Sequence, residues 1–267
     1  MTTPSGSLQH WMAPPHWGAI DFVSDLHLST ALPLTAASFE RYLLGTTADA
    51  VCLLGDVFEA WVGDDATTLP FEQQVTRTLA KAAQRRVLLF MAGNRDFLVG
   101  SGLCGALGLQ HLDDPTCLHA WGARWLLSHG DAQCLDDAGY QAFRAQVRQP
   151  AWQQAFLARP LADRLAIAQD MRARSMQRHA GPREGVETDG DLDAGLCSRQ
   201  LEHAGARALI HGHTHRPGCH DVAPGRIRIV LSDWDFDDPT HPRGEVLRLR
   251  PGHDPQRLTP AQACQPG

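Results

Sequence analysis

Short apolar runs that each close on a polar turn recur along this chain, and no other feature constrains its fold as much. AIDFVS (19–24), AVCLLG (50–55), RVLLFMAG (86–93), RWLLSHG (124–130), RALIHG (207–212) and IRIVLS (227–232) have the length and aliphatic content of strands. Residues 35–45, 70–84 and 191–204 have helical composition, so strand and helix alternate toward both ends and an α/β fold is expected. From Asp136 to about Ala180 there is no strand-like run. Trp152 and Phe156, then Leu161, Leu165 and Ala168, instead recur at helical spacing, with Pro150 and Pro160 cutting the stretch into short helices.

This pattern divides the chain. Residues 18–135 and 190–250 form the expected core and 136–189 a helical insertion, with GPREGVETDGD as the connector that rejoins it. Residues 1–17, rich in Pro, Ser and Gly, read as a disordered tail, and 251–267 read as a second tail. LSDWDFDDPTHPRGEVLRL reads as a final hairpin with a long polar loop. A chain of 267 residues can bury a full core around such a plan. Seven cysteines, at 52, 104, 117, 134, 197, 219 and 264, form no CxxC pair and are odd in number, which argues against a disulfide framework or thiolate zinc site and for a reducing compartment. Those near the motifs, Cys52, Cys134 and Cys219, read as small packing residues. The start lacks a basic then apolar leader, and no apolar run is long enough to span a bilayer, so secretion and membrane spanning are disfavoured.

Charge is uneven. The net value of −6 argues against a general nucleic-acid binder. Residues 141–183 nevertheless hold eight arginines against Asp163 and Asp170, a local balance of +6 that leaves −12 for the remainder. The plain explanation is a solvated arginine-rich helical face; the alternative is an anionic partner.

The chemistry sits at the strand ends. Asp25 and His27 follow the first run, Asp56 the second, Asn94 the third and His129 the fourth, and His213 and His215 follow RALI. Loops at the carboxyl ends of strands line the binding crevice of an α/β sheet, so these residues can converge although far apart in sequence. Taken singly, each histidine reads as a hydrogen-bonded core residue. Together, Asp, Asn and His donors without sulfur suit a pair of divalent ions of the Mn, Fe or Zn kind. Such ions, about 3.5–4 Å apart, grip a phosphoryl group and acidify a water for in-line displacement. Gly55, Gly93 and Gly212 each precede one of these residues and let the backbone turn beside them.

In this order, DLH, GD, GNRD, HGD and GHTH resemble the signature of the calcineurin-like metallophosphoesterases. The resemblance implies a β-sandwich core flanked by helices, with 136–189 as an inserted cap. It places Asp25, His27 and His215 on one metal, Asn94, His129 and His213 on the other, and Asp56 between both; His211 falls outside the set. The wider phrases GDVFEAWVGDD, GNRDFLVG, HGDAQCLDDAGYQAFR and IHGHTHRP resemble, within that superfamily, the UDP-2,3-diacylglucosamine pyrophosphatases of lipid A biosynthesis. This closer resemblance implies attack of water on the α-phosphorus to give UMP and 2,3-diacylglucosamine 1-phosphate, with two Mn2+ ions. Asn94, Arg95 and His129 would be catalytic, and Asn94, Arg95, Asp137, Tyr140, Arg172, Ser175, His179 and His213 would bind substrate. Arg95 stands where many relatives have histidine, and a guanidinium forks onto two diphosphate oxygens while keeping its charge. Arg183 is a further candidate beside His179, although the chain departs from the family pattern around QRHAGPREGVETDG.

A substrate with two acyl chains stays in the bilayer, since each buried CH₂ is worth about 0.8 kcal/mol. The enzyme is therefore expected to be a cytoplasmic monomer, peripheral on the cytoplasmic face of the inner membrane. Trp152, Phe156, Leu157, Leu161, Leu165 and Met171 would shelter the acyl chains while the arginines meet anionic head groups. Two other readings compete: a phosphodiesterase or phosphomonoesterase for a soluble nucleotide, and a non-catalytic scaffold. The aromatic and leucine-rich cap tells against the first, and the complete ligand set against the second.

Overall fold

The computed structural model describes residues 8–179 and 190–266, with the side chains of 174–179 outside the description. Among these residues the chain runs β1 (Gln9–Met12), β2 (Ile20–Val23), α1 (Pro33–Gly45), β3 (Ala50–Leu54), α2 (Pro70–Ala83), β4 (Val87–Met91), α3 (Ser101–Leu107), β5 (Gln110–Leu112), β6 (Thr116–Ala120) and β7 (Ala123–Leu127). It continues through α4 (Ala138–Val147), α5 (Pro150–Leu157), α6 (Leu161–His179), α7 (Ala194–Ala204), β8 (Ala208–His211), β9 (Gly218–Ala223), β10 (Arg226–Val230), β11 (Val246–Leu249), β12 (Gln256–Leu258) and α8 (Pro260–Ala263).

The strands form two six-stranded mixed sheets, one ordered β12-β11-β2-β3-β4-β5 and the other β1-β6-β7-β8-β10-β9. Burial on both faces explains why β3 and β4 are continuously apolar rather than alternating. Ala50, Cys52, Leu54, Leu89 and Met91 of the first sheet pack with Leu118, Trp125, Leu127, Ala208 and Ile210 of the second. On the alternate positions Val51, Leu53, Leu88 and Phe90 pack with residues of α1, α2 and α3, including Phe39, Leu79 and Leu103. Leu126 and Leu209 pack with Cys197 and Leu201 of α7 on the outer side of the second sheet. The result is a mixed α/β sandwich flanked by helices.

Three sequence expectations need correction. The first tail contains β1, which pairs in parallel with β6 from Gln9↔Thr116 to Met12↔His119, and Trp17 is buried. QHWM lies on a sheet edge with every second residue exposed, so it offers no apolar run to detect. The second tail contains β12 and α8, whose Thr259 forms a capping box with Gln262. The expected final hairpin is a crossing between sheets, because β10 belongs to one and β11 to the other. Beneath α1 and α8, the Arg248 Nε and Nη2 atoms donate to Asp21 at 2.7 and 2.9 Å, and Nη2 also donates to the Ala263 carbonyl at 2.8 Å. Tyr42 and Thr46 hydroxyls complete the Asp21 shell. This buried pair ties the C-terminal segment to β2.

The central stretch is helical, and Pro150 opens α5 in the first turn, where its missing N–H costs nothing. Trp152 stacks on Phe156 at 4.9 Å and lies 6.2 Å from Phe97, and Leu161 and Leu165 pack on the helix-side core of the first sheet. Much of the apolar face assigned to acyl chains therefore docks the cap, while Leu157 remains 42% exposed. Four of the eight arginines also turn toward the core. Arg144 and Arg148 approach Asp131 at 2.8 and 3.7 Å, Arg172 approaches Glu59 at 2.8 Å, and Arg164, only 3% exposed, binds the Val62 carbonyl and Asp65. Arg148 and Arg164 are thus occupied by the core rather than free to meet a lipid surface.

Two stability outcomes follow from these contacts. Arg248→Met should lower unfolding free energy by about 3–5 kcal/mol in denaturant titration, because it strands the Asp21 carboxylate without its cation. Arg164→Ser should cost about 1–3 kcal/mol by leaving the buried Val62 carbonyl unmet. It should speed hydrogen exchange in α5 and α6 with little change in β2, β3 and β4.

Candidate active site

Tight turns put the functional side chains at the strand ends. Asp25, His27, Asp56, His213 and His215 all adopt left-handed backbone, with φ of 52, 45, 55, 68 and 52°. Such conformations are costly for side chains with a Cβ and persist only where surrounding contacts enforce them. Asp96 supplies that enforcement for the second turn, accepting from the backbone N–H groups of Gly93 at 2.7 Å, Val57 at 2.8 Å and Asp56 at 3.2 Å. A Cβ at Gly93 would collide with the Asp56 carboxylate, and one at Gly212 with Asp25 and Ser24, so glycine lets these loops close.

The seven expected ligands form a closed circuit. His27 Nε2 lies 3.2 Å from His215 Nε2, and His215 Nε2 lies 3.4 Å from Asp25 Oδ1. Asp25 accepts the His213 backbone N–H at 2.9 Å, and His213 Nδ1 contacts Asn94 Oδ1 at 2.9 Å. The same oxygen contacts His129 Nε2 at 2.9 Å; His129 then lies 3.7 Å from Asp56 Oδ2, and Asp56 lies 4.0 Å from His27. Donor atoms of Asp25, His27 and His215 are all within 4.8 Å of one another, as are those of Asp25, Asp56 and His129. Two carboxylates, one amide oxygen and four imidazoles, with no sulfur, fit hard to borderline divalent cations.

Electrostatics fit the same centre. Burial opposes protonation of His129, yet the carboxylates of Asp56, Asp25 and Asp131 outweigh it and hold the imidazole up at about 9. Burial would raise Asp25, but His215, His129 and His27 hold it well below the usual carboxylate range. His213 is pushed down to about 4, first by burial and then by His129. The site concentrates negative potential that favours cations.

A supporting layer surrounds the circuit. Glu59 Oε2 lies 3.3 Å from His27 Nδ1, and the Leu54 carbonyl 2.9 Å from His129 Nδ1. Asp114 accepts from the His129 backbone N–H at 3.2 Å and from Ser128 Oγ at 2.6 Å. Asp233 lies 3.7 Å from His215 Nδ1 and binds Arg243 Nε at 2.8 Å. Such partners fix the orientation of ligating rings.

Residues 18–217 match the family model for calcineurin-like phosphoesterase. This chain is a calcineurin-like phosphoesterase. It is 46% identical over 245 residues to the UDP-2,3-diacylglucosamine hydrolase of Ralstonia nicotianae, covering 88% of this chain and 90% of that protein. It is 44% identical over 237 residues to the protein of the same name from Xanthomonas oryzae pv. oryzae, covering 85% of this chain and 94% of the relative. A third, from Xanthomonas campestris pv. campestris, is 42% identical over 237 residues.

In this phosphoesterase the other expected site residues divide. The Arg95 backbone N–H donates to Asp56 at 2.8 Å, and its side-chain Nε is buried without a partner among the described residues. The Tyr140 ring lies 6.0 Å from His213, and its hydroxyl donates to Asp131 at 2.6 Å. Asp137 is exposed and caps α4 by accepting from the Tyr140 N–H at 2.8 Å. Arg172 reaches the site's edge through Glu59. The side chains of Ser175 and His179, and all of Arg183, lie outside the described residues. His211 is buried, contacts the Gly212 carbonyl at 2.9 Å through Nδ1 and is pushed down to about 4 by burial. Cys52 and Cys134 are buried as expected, whereas Cys219 is exposed.

Sequence reasoning passed over Glu59, Asp96, Asp114, Asp131 and Asp233. Glu59, Asp96 and Asp131 lie inside quoted motifs, GDVFEAW, GNRD and HGD, so proximity to a ligand was the available signal; Asp114 carries none. Gly93→Ala should keep the circular dichroism of the parent yet lower phosphodiester turnover by about 100-fold even in excess metal, because the added methyl displaces Asp56.

Proposed function

We propose that this protein hydrolyses the pyrophosphate bond of UDP-2,3-diacylglucosamine in lipid A biosynthesis, water adding to the α-phosphorus as the bridging bond breaks. The observation that carries the reading is the single circuit of Asp25, His27, Asp56, Asn94, His129, His213 and His215. Identity of 42–46% to hydrolases of that name over most of the chain supports the substrate.

Two divalent cations, manganese in this reading, fit those seven residues: Asp25, His27 and His215 would hold one, Asn94, His129 and His213 the other, and Asp56 would serve both. Bound there, they supply positive charge to the diphosphate oxygens and lower the pKa of a water. Asp56 suits a shared role, since it lies between His27 of one set and His129 of the other. Arg95 offers its unpartnered Nε to the diphosphate and stabilises the charge that builds on phosphoryl oxygens. Asn94, Tyr140, Arg172, Ser175, His179 and His213 contribute to the substrate site. Asp137 acts indirectly, by starting the helix that carries Tyr140.

The lipid substrate brings the enzyme to the cytoplasmic face of the inner membrane as a peripheral monomer. Among the described residues, no helix is long and apolar enough to cross a membrane. With Arg148 and Arg164 turned inward, exposed Leu157 and neighbouring Arg159 are the better contact points on the cap.

In detergent micelles with Mn2+, UMP release from UDP-2,3-diacylglucosamine should exceed that from UDP-glucose by at least about 100-fold in kcat/KM, remote binding energy being used for turnover. In heavy-oxygen water the label should enter UMP, and Asp56→Ala should reduce the rate to background. Equal turnover of UDP-glucose would favour a soluble-nucleotide esterase, and metal binding without turnover of either would favour a scaffold.

A further inference from the structure

We propose that His10, Cys117 and His119 form a second metal site, which shares no residue with the phosphoesterase centre and is suited to a thiophilic divalent ion, zinc above all. The three residues come from two paired strands: His10 lies on β1 opposite Cys117 of β6, and His119 stands two residues further along β6 on the same face. That is the outer face of the second sheet, since Cys117 packs with Cys197 and Leu201 of α7 while Leu118 and Ala120 face the inter-sheet core. His10 Nδ1 lies 2.8 Å from His119 Nε2, and one donor atom from each of the three residues falls within 4.8 Å of the others.

The donor chemistry differs from that of the catalytic circuit. A thiolate and two imidazoles prefer Zn2+ over Mn2+, whereas carboxylate and amide oxygens accept harder ions, so the two sites select different metals. Three protein donors leave one position of a tetrahedral ion for water. Cys117 Sγ lies 3.9 Å from the Ala204 carbonyl at the C-terminus of α7, where the helix presents its negative end. Arg124 also reaches that carbonyl, at 3.4 Å, and the thiolate formed on binding offsets its charge. On binding, the Cys117 thiol releases its proton to solvent as the metal–sulfur bond forms, and the His10–His119 contact opens to admit the ion. Binding clamps the edge strand β1 onto β6.

Cobalt tests this separately from hydrolysis, because a thiolate-to-cobalt charge-transfer absorption cannot arise from the sulfur-free catalytic circuit. The protein is Mn2+-loaded and carries Cys219→Ser, which removes the exposed thiol. Addition of Co2+ should produce that near-ultraviolet band with one further ion bound. Cys117→Ser should abolish the band, and His10→Ala should weaken the affinity it reports by more than about tenfold. His10→Ala should leave phosphodiester turnover unchanged, which also shows that the variant is folded. No band at millimolar Co2+, or a band that survives either substitution at full strength, overturns the proposal.

Discussion

Crowding of charge at one rim of the sandwich is the constraint on which the rest of the structure depends. Asp25 and Asp56 are buried at 0 and 2% exposure, within reach of four imidazoles. Such groups are expensive to dehydrate unless each is paired or bound to a cation. The backbone carries a second cost, since five of the seven circuit residues sit in left-handed conformations. Both costs are absorbed locally: Asp96 gathers the N–H groups around Asp56, the His213 N–H meets Asp25, and glycines remove the methyl groups that would collide. The strands behind these turns are buried along their whole length, giving a rigid base for a strained edge.

The same division explains what could be read from the sequence. β2, β3, β4, β7, β8 and β10 are legible because each is a short run rich in aliphatic residues, interrupted only by isolated polar residues such as Asp21, Arg124 and Arg228. Their terminal Asp, Asn and His residues are legible because function puts unusual side chains where a turn would otherwise suffice. β1 and β12 leave no such trace: QHWM and QRL are edge segments held by backbone pairing, and α8 is held by Arg248, whose partner Asp21 lies 227 residues away. The placement of β10 and β11 in different sheets was equally hidden, since nothing local in LSDWDFDDPTHPRG distinguishes a hairpin from a crossing between layers. Asp114 shows the limit for site residues, because only the folded chain brings it to the His129 backbone.

The basic island has a physical explanation that composition alone does not contain. A local excess of arginine in an acidic chain invites an external anion, yet the nearest anions belong to the core. Asp131 takes Arg144 and Arg148, Asp65 takes Arg164 and Glu59 takes Arg172. Apolar docking of Trp152 and Phe156 orients the cap, and the ion pairs fix its register. For these four of the eight arginines, the charge is internal complementarity between insertion and core.

Those acids are not scattered over the core surface. Glu59 contacts His27 on one side and Arg172 on the other, and Asp131, two residues after His129, binds both Tyr140 and Arg144. Cap and circuit therefore share carboxylates, so a change in either is felt by the other over one or two contacts. A diphosphate entering between them, as the proposed reaction requires, would bring oxygens that compete for the same guanidinium groups now held by carboxylates. Because an arginine loses little when it exchanges one anion for another, the cap can grip an anionic substrate without first exposing an unpaired charge. The polar joint that holds the insertion in place is in this way also suited to binding phosphate.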